Sequence, residues 1–212
     1  QKPVGTPRVG VPRRYFHDLL DPGVVSAFEG FLDRLRQLGC RVENVELEGI
    51  EEAYSKWLPI RRAEATAFHI RWLETVPELY GADVRKLLEL GKEVSAVEYV
   101  TAISARPAMM ERFASSIQDF DALAIPTTCV PAPMIGKSTV LIGGQEVDTY
   151  SALNRLTLPF NYVGFPALTV PAGLVDGLPV GVQLVGKLFD EATVMRVADA
   201  FESRFGPHPP PP

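Results

Sequence analysis

Residues 8–47 read RVGVPRRYFHDLLDPGVVSAFEGFLDRLRQLGCRVENVEL, and this stretch decides the fold class. Arg8 to Val11 is a short β-prone run closed by Pro12. Asp21 then offers an N-cap oxygen, with Pro22 at the first helical position, where its missing N–H is not needed. Val25, Phe28, Leu32, Leu35 and Leu38 follow at helical spacing, and Gly39 closes the helix. From Arg41 to Leu47 apolar and polar residues alternate through Val42, Val45 and Leu47, as in a half-exposed strand. Strand, helix and strand in that order predict a βαβ unit, and hence a layered α/β fold.

On the C-terminal side the chain turns helical. Ile60 to Val76 is rich in helix formers and ends at Pro77; Val84 to Leu90 is a shorter helix stopped by Gly91. Ser95 and Glu98 form a capping box that opens a long helix through Tyr99, Val100, Ile103, Met110, Phe113 and Ile117. Pro107 inside it is expected to kink or break it. Ala122 to Ile125 is an apolar strand leading into a proline-rich loop, Pro126 to Pro133. Gly143-Gly144 marks a hairpin between Thr139–Ile142 and the run from Glu146 onward. Ala167 to Val170 and Val180 to Val185 are further strands around an Asp176-Gly177 turn. A last helix opens after Asp190, and residues 207–212 form a proline-rich tail. No repeat and no linker divides residues 1–212, so one unit is expected: α/β, a layered mixed β-sheet flanked by helices.

Composition narrows the function. The 212 residues are 46% hydrophobic and 22% charged, with net charge −5 and no Lys/Arg-rich block, which argues against a dedicated nucleic-acid binder. No apolar run of about 18 residues suggests a membrane span, and the first residues, Gln1, Lys2 and Pro3, lack the apolar stretch of a secretory signal. Cys40 and Cys129 lie far apart and read as free buried thiols in a reducing, cytoplasmic setting. No G-x-S-x-G elbow is present, and His17, His69 and His208 stand in no catalytic pattern. His69, beside Phe68 and Trp72, reads as a structural histidine. No Cys or His pair has metal-ligand spacing, so no metal and no cofactor is expected. Gly136-Lys137-Ser138 imitates the end of a phosphate loop, but Pro131 stands where the first glycine belongs. Lys137 and Ser138 are loop neighbours that do not face each other as a Ser-Lys dyad would.

The tail carries a more specific signal. Asp121-Ala-Leu-Ala-Ile-Pro-Thr127 with Pro131-Ala-Pro133, then Arg155-Leu-Thr-Leu-Pro-Phe-Asn161 and Gly164-Phe-Pro-Ala-Leu-Thr-Val-Pro171, resemble blocks of the amidase signature family. Gly177-Leu-Pro-Val-Gly-Val-Gln-Leu-Val-Gly186, Phe189-Asp-Glu-Ala-Thr193 and the early Arg8-Val-Gly-Val-Pro12 complete the resemblance. It implies the C-terminal half of that fold, on the substrate side of a serine amidohydrolase acting on a small amide. The family's serine nucleophile, second serine and lysine belong to an N-terminal half with a Gly-Ser-rich loop, and no such loop occurs here. No catalytic residue is therefore assigned, and the chain is expected to be inactive alone, the other half being supplied in cis or in trans. A sheet edge left open would favour self-association.

By the same resemblance Asn154, Arg155, Thr127, Thr128, Phe160 and Asn161 line the substrate side. Arg155 would hold a carboxylate or carbonyl through its fork of donors, or else serve as a structural ion-pair partner. Thr127 and Thr128 would donate into the cleft or cap their loop, and Phe160 and Asn161 would serve packing and loop geometry as well. Cys129 would lie near the cleft, open to alkylation. One branch of the family is the glutamine-hydrolysing subunit of the tRNA-dependent amidotransferase, the one setting in which nucleic acid would matter; it tends to carry Asp where Asn154 stands. A non-catalytic binding or scaffold protein of the same fold is the remaining alternative.

Overall fold

The structure is a computed structural model and describes residues 6–206; the proline-rich tail and His208 lie outside the described residues. Strand β1 (Arg8–Pro12), helix α1 (Pro22–Gln37) and strand β2 (Arg41–Val45) form the expected βαβ unit, with β1 and β2 parallel. The Asp21 carboxylate accepts from the Gly23 and Val24 amides, which is why the helix starts there. Leu47 falls beyond the strand but is buried, so the alternation through Leu47 outlasts the ladder by two residues.

Helix α2 (Ile50–Thr75), a 3₁₀ turn (Pro77–Leu79), α3 (Ala82–Glu89) and α4 (Ala96–Ser116) make the helical middle. Two sequence expectations are corrected here. Helix α2 begins at Ile50 rather than Ile60, running on through Pro59. Of the kink or break expected at Pro107, the break is absent: α4 runs on through it. A proline removes one backbone bond, and Ala102, Met109 and Phe113, buried on either side of Pro107, hold the flanking turns in place. The capping box is present: the Ser95 hydroxyl accepts from the Glu98 amide at 3.1 Å, and Glu98 accepts from the Ser95 amide at 2.8 Å.

Strands β3 (Ala122–Pro126), β4 (Thr139–Ile142) and β5 (Gln145–Asp148) follow. Two short helices that the sequence pattern does not announce, α5 (Thr149–Asn154) and α6 (Leu158–Val163), precede β6 (Ala167–Val175), β7 (Leu178–Val185) and α7 (Glu191–Phe205). The main sheet has the order β2-β1-β3-β7-β6, parallel across β2, β1 and β3 and antiparallel across β3, β7 and β6. The sheet is thus mixed. The hairpin β4–β5 stands apart as its own two-stranded sheet.

All five residues of β3 are buried, as befits a central strand covered on both faces. Helices α1 and α7 pack on the sheet and on each other, with the Phe31 and Phe201 rings stacked at 4.3 Å. Helices α2, α4 and α6 pack together as a second helical layer, where Phe113 meets Phe160 and Phe165.

Candidate functional site

Parallel β1 and β3 end at the same edge of the sheet, and the loops beyond Pro12 and Pro126 meet there. Crevices outside the carboxyl ends of parallel strands are where open α/β sheets bind ligands. The loop after β1 brings Tyr15 and Asp18, the loop after β3 brings Thr127, Thr128 and Cys129, and α5 brings Asn154 and Arg155. Backbone bonds lock these pieces together. The Asp21 amide donates to the Cys129 carbonyl at 2.8 Å, and the Cys129 amide donates to the Ala152 carbonyl at 3.0 Å. Buried Gln183 donates to the carbonyls of Leu156 and Pro126 at 2.9 and 3.4 Å, joining the chain after α5 to the end of β3.

Arg155 is the hub. Its Nη2 donates to the Tyr15 carbonyl at 2.6 Å, its guanidinium lies 4.1 Å from the centre of the Tyr15 ring, and the Tyr15 hydroxyl donates to the Arg155 carbonyl at 3.2 Å. Asp18 is 3.8 Å away, a loose ion pair. Tyr15 holds φ at 71°, a left-handed conformation rare outside glycine, inside a turn closed by the His17 amide donating to the Arg13 carbonyl at 2.9 Å and docked on Arg155. Tyr15 and Asp18 escape the sequence reading because a single residue in a 13–20 loop carries no periodic signal.

The other predicted residues divide. Thr128 caps its own loop, donating to the Val130 carbonyl at 2.7 Å. Thr127 lies 3.3 Å from the Thr169 hydroxyl and donates its amide to the Gly181 carbonyl. That approach requires a glycine: a Cβ at Gly181 would meet the Thr169 methyl at 2.6 Å. The Asn154 amide donates to the Tyr150 carbonyl at 2.7 Å. Phe160 is 2% exposed and stacks on Phe16 at 5.7 Å, so its ring supports the crevice from within the core. Asn161 is exposed at the start of the last turn of α6.

The Amidase family model matches residues 1–195. The chain belongs to the Amidase family. An amidase of Pseudomonas putida is 37% identical over 197 residues, covering 92% of this chain and 42% of that protein. A glutamyl-tRNA(Gln) amidotransferase subunit of Exiguobacterium sibiricum is 31% identical over 222 residues, covering 94% and 45%. A crystal structure of an amidase superposes with a TM-score of 0.86 at 32% identity, covering 95% of this chain and 46% of that one. The chain thus spans less than half the length of the relatives it matches.

Within this Amidase-family chain both cysteines are free and buried. Cys129 is fully buried, and burial pushes its thiol up to about 11, with Arg155 pulling weakly the other way. This corrects the expectation that it is open to alkylation: at neutral pH it is a shielded thiol. His69 shares a 2.9 Å hydrogen bond with the Tyr80 hydroxyl, the structural setting expected of it. His17 packs against Phe28, and burial holds its imidazole below the usual range, with Arg13 adding to the effect. No three His, Cys, Asp or Glu side chains among the described residues are grouped to hold a metal ion, and no helix among them is long and apolar enough to cross a membrane.

Proposed function

We propose that this chain forms the substrate-side portion of a serine amidohydrolase cleaving a C–N amide bond, with the serine nucleophile and its activating serine and lysine on a further portion, linked in cis or in trans. The observation that carries this reading is the meeting of the loops beyond β1 and β3 with the end of α5, all inside the stretch matched by the Amidase model. In this role the chain binds and orients rather than attacks. Arg155, already docked on Tyr15, presents its remaining edge to a carbonyl or carboxylate, and Thr127 and Asn154 supply neutral polar contacts beside it. Thr128, Phe160 and Asn161 shape the loop and segment that carry those groups. Holding the amide in one pose lowers the barrier only for an attack supplied from the other side of the cleft.

The test is an amidase assay of this chain alone and after mixing with the N-terminal half of a related amidase, over a panel of small amides. Activity only after mixing is expected. Activity of the chain alone, or none from folded mixed material, would sink the reading. Glutamine belongs in that panel for a second reading, in which the chain is part of the glutaminase component of an amidotransferase; the 31% identity to such a protein favours including it. A preference for glutamine, with ammonia passed on to charged tRNA in the presence of partner proteins, would select that reading. In either case the edge strands β2 and β6 would be covered in the assembled protein, and the chain by itself should self-associate in sedimentation.

A further inference from the structure

A half-buried guanidinium needs acceptors, because its N–H groups lose water on folding. Among the described residues four arginines have a buried Nε with no hydrogen-bond partner: Arg61, Arg62, Arg112 and Arg155. Arg112 and Arg155 each have a carboxylate nearby, Glu52 at 3.7 Å and Asp18 at 3.8 Å. Among the described residues Arg61 and Arg62 have none within 4 Å. Arg61 donates to the Tyr150 hydroxyl, and its guanidinium lies over the rings of Trp57 and Tyr150, 5.2 and 5.0 Å from their centres. Those partners hold the guanidinium in place without cancelling its charge.

Both arginines line one cleft of about 210 Å³ between α2 and α3, whose other walls are Ala65, His69, Val84, Leu87 and Leu88. The lining holds two permanent cations, no carboxylate and a mainly aliphatic remainder. A cation is repelled from such a space. A carboxylate is matched, since guanidinium forks take carboxylate oxygens in pairs and the aliphatic wall takes a hydrocarbon body. The volume is below the ~300 Å³ at which drug-sized pockets begin, so the guest is small.

We propose that the cleft between α2 and α3 binds the carboxylate of a small organic acid, its oxygens accepting from Arg61 and Arg62 and its hydrocarbon resting on Ala65, Val84, Leu87 and Leu88. Arg61 also connects this cleft to the loops at the carboxyl ends of β1 and β3, because Tyr150 shares α5 with Asn154 and Arg155 caps that helix. The carboxylate therefore belongs either to an amide substrate reaching across from the crevice or to a separate small acid. Only the first source rests on the amidohydrolase reading; the carboxylate site itself stands without it.

The test needs no amidase activity. Binding of benzoate and butyrate, and of their neutral counterparts benzamide and butyramide, is followed by amide chemical shifts of the full chain. The acids are expected to bind at least about tenfold tighter than the amides, and Arg61→Gln or Arg62→Gln to weaken them about tenfold to a hundredfold each, the range of a lost charge-assisted bond. Ala65→Leu fills the cleft and should abolish binding while leaving both charges. Arg61→Lys, which keeps the charge but not the fork, covers the case in which Arg61→Gln does not fold; its affinity should be intermediate. Equal affinity for acid and amide, or unchanged binding in folded Arg61→Lys and Arg62→Gln, would overturn the proposal. Succinamate separates the sources, both of which support the carboxylate site. Shifts extending to Tyr150 and Asn154 indicate the substrate's own carboxylate, and shifts confined to α2 and α3 a separate acid.

Discussion

Arg155 and Arg61 are both half-buried arginines laid against a tyrosine ring, yet the chain uses them in opposite ways. Arg155 is tied to a backbone carbonyl, faces Asp18, and receives a hydroxyl on its own carbonyl, so it joins the loop after β1 to the end of α5. Arg61 is held by two aromatic rings and one hydroxyl, and it keeps an uncompensated charge beside Arg62 at an open cleft. The difference teaches how to tell an arginine that joins two segments and offers a guest only its remaining edge from one whose charge is left open to a guest. What counts is whether the partners that fix the side chain also neutralise it. Aromatic faces and neutral oxygens fix a guanidinium while leaving most of its charge to a guest.

The largest effect should come from breaking the clamp. Arg155→Ala removes a backbone hydrogen bond, a stacked cation and the counter-charge of Asp18, and should cost about 2–4 kcal/mol in denaturant unfolding. A loss under about 0.5 kcal/mol would mean that Arg155 is not the joint the geometry makes it. Arg155→Lys retains charge without the planar fork and should recover about half of that loss, roughly 1–2 kcal/mol remaining. Arg62→Gln should change stability by no more than about 0.5 kcal/mol in either direction, since it removes a cation that no carboxylate pairs, whereas Arg61→Gln also gives up two aromatic faces and the Tyr150 hydroxyl and should cost about 1 kcal/mol. If either destabilised as much as Arg155→Ala, the contrast between the two arginines would fail.

The finest probe of the clamp is Cys129. Its thiol titrates at about 11, above the 9.0 of a free thiol, because burial favours the neutral form. The folded state thus keeps its proton longer than the unfolded state. The resulting stability is fully present below pH 9 and is lost as pH rises toward 11. Iodoacetamide should leave Cys129 unmodified at pH 8 in native protein and label it after denaturation. Arg155→Ala withdraws the charge that favours the thiolate, so the titration should move further up in that variant. A downward move would show that the guanidinium does not act on the thiol.

How much is legible before folding follows from how each signal is written. The Asp21–Pro22 start, the Ser95–Glu98 box and the Gly143-Gly144 and Asp176-Gly177 turns depend on neighbours a few residues away, and each stands where its local pattern puts it. The start of α2 and the continuity of α4 depart from the local pattern for one reason. A proline's cost is local, whereas the packing that outweighs it comes from across the helical layer. Helices α5 and α6 are too short to show a helical period, and Phe160 reads the same in sequence whether it faces a cleft or the stack on Phe16.

Local order along the chain therefore determined the class: a βαβ opening, a helical middle, a mixed set of strands, and a tail whose blocks resemble one family. The tertiary structure alone decided which side chains meet. Tyr15 and Arg155 are 140 residues apart, and Arg61 and Tyr150 are 89 apart. No local pattern encodes such pairs, because each exists only once the sheet has brought the carboxyl ends of β1 and β3 together and α2 has been laid across α5. The charge left over at Arg61 and Arg62 is likewise a property of the fold, set by which carboxylates it brings near and which it keeps away.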